Sequence, residues 1–369
     1  MNLKLKDLIE TKRVIVCCGS GGVGKTTLSA ALGIAAALLG KRVVVVTIDP
    51  AKRLATSLGL KNLSATATDL SPLLIEATGG SVKGKISALM PDTAQTFETF
   101  VKQMAGTNEH LVKKLFGTSI YKAFTKDFAG TNEYMAMEKM YELYQNPNYD
   151  LVILDTPPSP NTRLFLEAPH LFVDFFDEKM VKWFINPGSK IIASGIKKLL
   201  EILEKLTGKG FVSDLFDFTL SLFELRTQFV ENLKKVGELL HQDNVAFLMV
   251  TSPERLSKED TIDFVSLLNE LNYPFWGFIV NRTLSLKLGI KDSQELQNTQ
   301  NFQALSKDEK NLVLKNFEFI FKKLEKEKEV ENFLSSCTTK NNTVLIPEQS
   351  DDIHNIQTLL KIVPHLIKV

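Results

Sequence analysis

Three cysteines in 369 residues are too few for a disulfide framework. Cys17 and Cys18 adjoin in one apolar run and Cys337 is distant in sequence, so packing is their expected role and a reducing compartment is implied. There is no Cys-x-x-Cys, which excludes a structural zinc site of that type. Long apolar runs are also lacking. The longest helical one, residues 28–39, falls short of the ~20 residues needed to cross a bilayer. Residues 1–7 contain no apolar signal region. The expectation is a cytoplasmic protein without a stable membrane anchor. A charge surplus is missing too: 44 Lys and Arg against 43 Asp and Glu give a net charge of +1. No broad attraction to nucleic acid follows from that balance. The chain is long enough for one large α/β domain carrying insertions.

What is present is a phosphate-loop pattern, Gly19-Ser20-Gly21-Gly22-Val23-Gly24-Lys25-Thr26-Thr27, which fits G-x-x-x-x-G-K-[ST]. Successive backbone N–H groups in such a loop form a concave nest for phosphate oxygens. Glycines permit close approach and positive φ. Lys25 is expected along the β- and γ-phosphates and the Thr26 hydroxyl on Mg²⁺. The run before the loop, residues 13–18, suits a buried strand, and the Ala- and Leu-rich stretch after it suits a helix with its positive end toward the anion.

Six apolar runs read as buried parallel strands: residues 14–18, 42–48, 151–154, 246–250, 275–280 and 343–346. Their hydrophobicity is nearly continuous, as when helices cover both sheet faces. The predicted fold is α/β, a doubly wound, mostly parallel sheet with its ligand at the carboxyl ends of the strands. Those ends carry Asp49-Pro50, Asp155-Thr156-Pro157-Pro158, Glu254, Asn281-Arg282 and Pro347-Glu348. Residues 1–369 are expected to form one such domain with helical insertions at about 88–145 and 171–240, and a further one at about 283–342. The second interval is rich in Phe, including Phe172, Phe175, Phe176, Phe184, Phe211, Phe216, Phe218, Phe223 and Phe229. In residues 307–335, Val313, Phe317, Ile320, Phe321 and Leu324 share one helical face. No second phosphate loop occurs, so one nucleotide site per chain is expected.

These residues carry a resemblance. The chain resembles the anion-transporting ATPases, deviant phosphate-loop enzymes that include the arsenite-pump ATPase and the ATPase that delivers tail-anchored membrane proteins. The anchors are Gly19 to Thr27, Thr47-Ile48-Asp49-Pro50-Ala51 and Asp155-Thr156-Pro157-Pro158-Ser159, with Asn132 to Lys139 resembling a segment of single-domain bacterial members. The resemblance implies a P-loop NTPase fold, ATP and Mg²⁺ as substrate and cofactor, and a face-to-face homodimer. It implies a catalytic role for Asp49, which orients the attacking water, beside Lys25. Thr26, Asp49 and Asp155 would surround the metal, with Asp155 in the Walker B position. Residues 156–169 resemble a second switch that responds to the γ-phosphate. Asn281 matches the asparagine that reads adenine, although a strand-end turn cap is an alternative for it. Pro347 matches the loop packed on adenine, and Glu254 a residue near the nucleotide at the dimer interface.

Ser20 departs from the pattern. Many relatives have a lysine there that reaches the opposite subunit's nucleotide. Either hydrolysis is slow, or another cation substitutes, with Lys52, Arg53 and Arg163 as candidates, or the backbone, Lys25 and Mg²⁺ suffice. The resemblance implies an ATP hydrolase that couples closure to binding, targeting or chaperoning of a hydrophobic or membrane-protein client. The Phe-rich interval is a candidate client groove, or else the core of a helical bundle. The alternatives are the energising subunit of an arsenite or anion pump, and a nucleotide-dependent scaffold of very low turnover. A thiolate metalloid site needs clustered cysteines, and residues 88–145 and 171–240 contain none.

Overall fold

Each of the six apolar runs forms a strand of a single sheet in the computed structural model, which describes residues 5–48, 52–80, 82–118, 120–121, 131–157, 163, 165–168, 210–284, 293–338 and 342–367. The strands are β1 (Val14–Gly19), β2 (Arg42–Thr47), β3 (Thr68–Asp69), β4 (Lys85–Leu89), β5 (Leu151–Asp155), β6 (Val245–Thr251), β7 (Phe275–Thr283) and β8 (Thr343–Pro347). Their order is β3-β4-β2-β5-β1-β6-β7-β8. Every pairing is parallel except β3 with β4.

Two strands were not expected. β3 and β4 form the edge beyond β2, and β4 runs to Leu89, so the interval from residue 88 begins as strand rather than helix. β3, only two residues long, is the edge strand, and β4 inside it, Lys85-Ile86-Ser87-Ala88-Leu89, has an exposed Lys85 and a half-buried Ser87 and so lacks the continuous hydrophobicity of β1 or β2. β7 also runs past its apolar run, through Asn281, Arg282 and Thr283.

β1 lies at the centre, with β5 on one side and β6 on the other. Alternation along β1 sends adjacent side chains to opposite faces: Cys17 joins one hydrophobic core and Cys18 the other. The first face is covered by the helices Lys25–Leu38, Leu5–Thr11, Ser71–Thr78, Ile356–Leu360 and Val363–Leu366. Lys25–Leu38 is buried nearly throughout because its Ala-rich surface lets it approach the sheet closely. The second face is covered by Thr131–Gln145, Arg226–Leu240, Lys258–Glu270 and the end of Lys307–Cys337.

A third core stands away from the sheet. It joins Phe97 and Phe100 of helix Thr93–Ala105, Leu111 and Leu115 of Glu109–Phe116, Tyr134 and Met135, Phe218 and Leu222 of Phe211–Glu224, and Phe229 and Leu233. Phe100 and Phe229 meet edge to face, with ring centroids 4.4 Å apart. Phe218 and Phe229 are therefore bundle core rather than exposed groove, whereas Phe172, Phe175, Phe176 and Phe184 lie outside the described residues. The 31-residue helix Lys307–Cys337 opens with a capping box, in which Ser306 and Glu309 satisfy each other's backbone donors. Phe317, Glu327, Val330 and Leu334 are its buried residues, and Phe317 stacks on Phe321, with centroids 5.8 Å apart.

Candidate functional site

The site begins where β1 ends. Gly19 pairs with Val250 of β6 and has φ 144°, and a Cβ there would overlap the Val250 carbonyl oxygen. Only glycine lets the chain leave the sheet at this point. Gly24 closes the loop with φ 93° and caps the helix Lys25–Leu38 without any side-chain hydrogen bond. The first-turn N–H groups of that helix thus face the loop with no side-chain cap, as an anion site requires. A Cβ on Gly24 would fall on the side-chain amide nitrogen of Asn281.

Lys25 is buried, and its Nζ donates to the Gly19 carbonyl at 2.9 Å and to that of Ser20 at 3.4 Å. A cavity of about 310 Å³ opens beside the loop, lined by Gly22, Gly24, Lys25, Thr26, Thr27, Arg53, Thr56, Ser57, Thr156 and Arg282. Three of these are cations, five carry a hydroxyl, and none of the described lining residues is acidic. Such a lining suits a polyanion.

The expected metal side lies at β5. Asp155 is fully buried and accepts a hydrogen bond from the Thr47 hydroxyl at 2.9 Å, across the β2–β5 register. The next residue, Thr156, donates its hydroxyl to the Cys17 carbonyl at 2.9 Å and lines the cavity. Oxygen donors of this kind, Asp155 with the Thr26 hydroxyl, fit Mg²⁺, which takes one or two protein oxygens and completes its shell with phosphate and water. Burial pushes the Cys17 and Cys18 thiols up to about 12, so neither offers a competing thiolate. Among the described residues no group of three His, Cys, Asp or Glu side chains forms a dedicated metal cage.

The remaining expected residues are spread around this centre. Asn281 is buried and its Nδ2 donates to the Val23 carbonyl at 2.9 Å, which ties β7 to the phosphate loop. Its amide oxygen and second N–H are the groups left for a base edge. Pro347 ends β8 opposite Thr283, and its carbonyl accepts from the Gln349 amide at 2.8 Å. Glu254 is 65% exposed and forms an ion pair with Lys323 at 3.4 Å, on the long helix. Asp49, Pro50, Ala51, Pro158 and Ser159 lie outside the described residues.

Of the candidate substitute cations, Arg53 lines the cavity. Lys52 has φ 57° and lines a neighbouring cavity with Thr47 and Met90, while Arg163 is paired with Glu167 at 3.0 Å. Two further cations lie at the loop, Arg282, which the strand-end pattern already includes, and Arg255. Arg282 lines the phosphate-loop cavity. Arg255 lays its guanidinium against Gly22, where a Cβ would stand 3.1 Å from Nη1, and donates to the Gly21 carbonyl at 3.5 Å. The signal for both was their position after a strand-end residue, Asn281 or Glu254.

Comparison with known proteins gives the family. The profile of the family described as anion-transporting ATPase matches residues 12–330. An Aquifex aeolicus (strain VF5) protein named arsenical pump-driving ATPase 1 is 26% identical over 66% of the chain, which spans 56% of that relative. The Caenorhabditis elegans protein ATPase asna-1 is 25% identical over 77% of the chain and 79% of its own length. ATPase GET3 of Phaeosphaeria nodorum is 24% identical over 74% of the chain and 78% of its own length.

Proposed function

The chain belongs to the anion-transporting ATPase family, and on that premise we propose that it is a Mg²⁺-dependent ATP hydrolase that works as a homodimer on a hydrophobic or membrane-protein client. The observation that carries the ATPase reading is the cavity at the start of the helix Lys25–Leu38, whose described lining has no acidic residue and where Lys25, Arg53 and Arg282 surround an uncapped set of backbone donors. ATP offers the complementary charge. Lys25 exchanges its loop carbonyl partners for β- and γ-phosphate oxygens. Thr26 and Asp155 are the residues that would hold Mg²⁺, which would neutralise charge that develops on the phosphates. Asp49 accepts a hydrogen bond from the attacking water and orients it in line with the γ-phosphorus.

Ser20 supplies no cation across a dimer. Arg53 in the cavity and Arg255 on the loop are the residues that take over that charge. A donor aimed at charge that develops in the transition state is worth about 3–4 kcal/mol of barrier in comparable sites.

The client half of the reading draws on relatives named ASNA1 and GET3 and on the helical layer that surrounds the third core. Closure of two chains around ATP would bring their helical layers together, and hydrolysis would part them. A metalloid pump reading is weaker, because Cys17 and Cys18 are buried on opposite faces of β1 with thiols pushed up to about 12. Among the described residues no helix is long and apolar enough to cross a membrane.

The test uses Asp49→Asn, which should bind ATP without turning it over. Sedimentation should show this variant as a dimer with Mg²⁺ and ATP, and the dimer should capture a labelled apolar transmembrane-helix peptide. A monomer at every nucleotide condition would refute the coupling. Activation of the wild type by antimonite, with no binding of the peptide, would favour the pump instead.

A further inference from the structure

We propose that Arg282 is a nucleotide-binding residue, held in a strained backbone conformation so that its guanidinium meets the α/β-diphosphate segment shared by ATP and ADP. This rests on the reading of the phosphate-loop cavity as the nucleotide site.

β7 breaks its own alternation where it reaches the site. Residues along a strand normally alternate between faces, so Asn281 and Arg282 could not both address one ligand. The register with β8 shifts between Asn281 and Thr283: Asn281 pairs with Ile346 and Thr283 with Pro347, which leaves Arg282 as the extra residue of a bulge. Its φ is 59°, in the left-handed region that arginine seldom adopts. Bulges beside binding sites re-aim side chains in this way. The outcome is that Asn281 grips the Val23 carbonyl while its neighbour Arg282 lines the cavity formed by Gly24, Lys25 and Thr26.

The conformation is fixed from both sides. Asn281 is tied to the phosphate loop, the Glu348 N–H donates to the Thr283 carbonyl at 2.8 Å, and the Leu284 N–H donates to the buried carboxylate of Glu327 on the long helix. A strained residue persists only where its surroundings over-determine it, and such residues gather at ligand clamps. Glycine at this position would have the same backbone without the strain, so the side chain is what the strain retains.

Position decides which part of the ligand Arg282 meets. The end of β7 lies three strands from β5, whose Asp155 marks the metal and γ-phosphate side. Three strand spacings amount to about 14 Å across the sheet. Arg282 therefore sits toward the end of the nucleotide away from the γ-phosphate and supplies affinity common to ATP and ADP.

The test is calorimetric titration of the full chain with ADP and with ATP plus Mg²⁺, together with thermal unfolding. Arg282→Gly should weaken both nucleotides by about tenfold, the loss of one charge-assisted contact, while the melting temperature stays level or rises. Arg282→Gln, which keeps the strain and loses the charge, should weaken both equally, and it provides the readout if the glycine variant does not fold. Wild-type affinity for ADP in either folded variant would overturn the proposal, as would a loss confined to ATP. Absence of ADP and ATP binding by the wild-type chain would overturn the nucleotide reading and the proposal with it.

Discussion

Glu138 offers a quantitative test of how the helical layer is held to the rest of the protein. It lies on the helix Thr131–Gln145, one turn from Tyr134, and is 7% exposed. The Tyr134 hydroxyl donates to its Oε2 at 3.1 Å, and Asn232 Nδ2, on the helix Arg226–Leu240, donates to the same oxygen. The carboxyl thus joins two helices that pack on both the sheet and the third core. Burial raises its pKa from 4.5 to about 7, against the opposing effect of the two hydrogen bonds, and Glu142 adds to the rise. The folded state therefore binds more protons than the unfolded state between these values. Stability from this group is full below pH 4.5 and is lost as pH rises through about 7. The difference corresponds to roughly 3 kcal/mol. In a chain of this length that is about 4 °C in melting temperature. Glu138→Gln keeps an amide oxygen for both donors and cannot ionise. Thermal unfolding should find the variant level with the wild type at pH 4.5 and about 4 °C more stable at pH 8. Parallel melting curves for the two proteins from pH 4.5 to 8 would refute the buried-carboxyl reasoning.

Other perturbations address the nucleotide site. Asn281→Ala removes the bond to Val23 and should lower stability by about 1 kcal/mol in urea unfolding. It should also weaken ATP binding, because the loop loses its tie to β7; unchanged stability would remove that tie from the account. Gly24→Ala places a Cβ on the Asn281 amide at φ 93° and should abolish measurable ATP binding in a folded protein, as judged by circular dichroism and titration. Arg255→Ala leaves the cavity lining intact and should reduce kcat by about tenfold or more, with KM little changed, if its guanidinium stabilises transition-state charge. Equal kcat values would leave Arg53 or Lys25 to meet that charge.

Most of the legible strands have both faces buried; β8, at the sheet edge and largely half-buried, is legible from its short Val-Leu-Ile run alone. β1, β2, β5 and β6 are fully covered apart from the first residue of β2, and their continuous Val, Ile and Leu runs announce them. β4 was missed because Lys85 and Ser87 interrupt its apolar run, and β3 because two residues carry no pattern. The phosphate loop was legible since its chemistry lies in consecutive residues, whose glycines answer to backbone geometry at Gly19 and Gly24. Contacts between distant segments left no such trace. Arg255 meets Gly21 across 234 positions, and Asn232 meets Glu138 across 94. Arg282 was legible as a strand-end residue but its direction was not: a bulge turned it toward the site, and alternation along a strand would have sent it away.

The central claim is that the cavity beside Lys25 is a nucleotide site, one per chain. Titration of the wild type and Lys25→Ala with ATP and Mg²⁺ in a calorimeter tests it most directly. One ATP should bind each wild-type chain, and the folded Lys25→Ala variant should show at least a hundredfold weaker binding, about 2.7 kcal/mol, as expected for removal of a charge-assisted contact to the phosphates. Wild-type-like affinity in that variant, or no ATP binding by the wild type, would contradict the account.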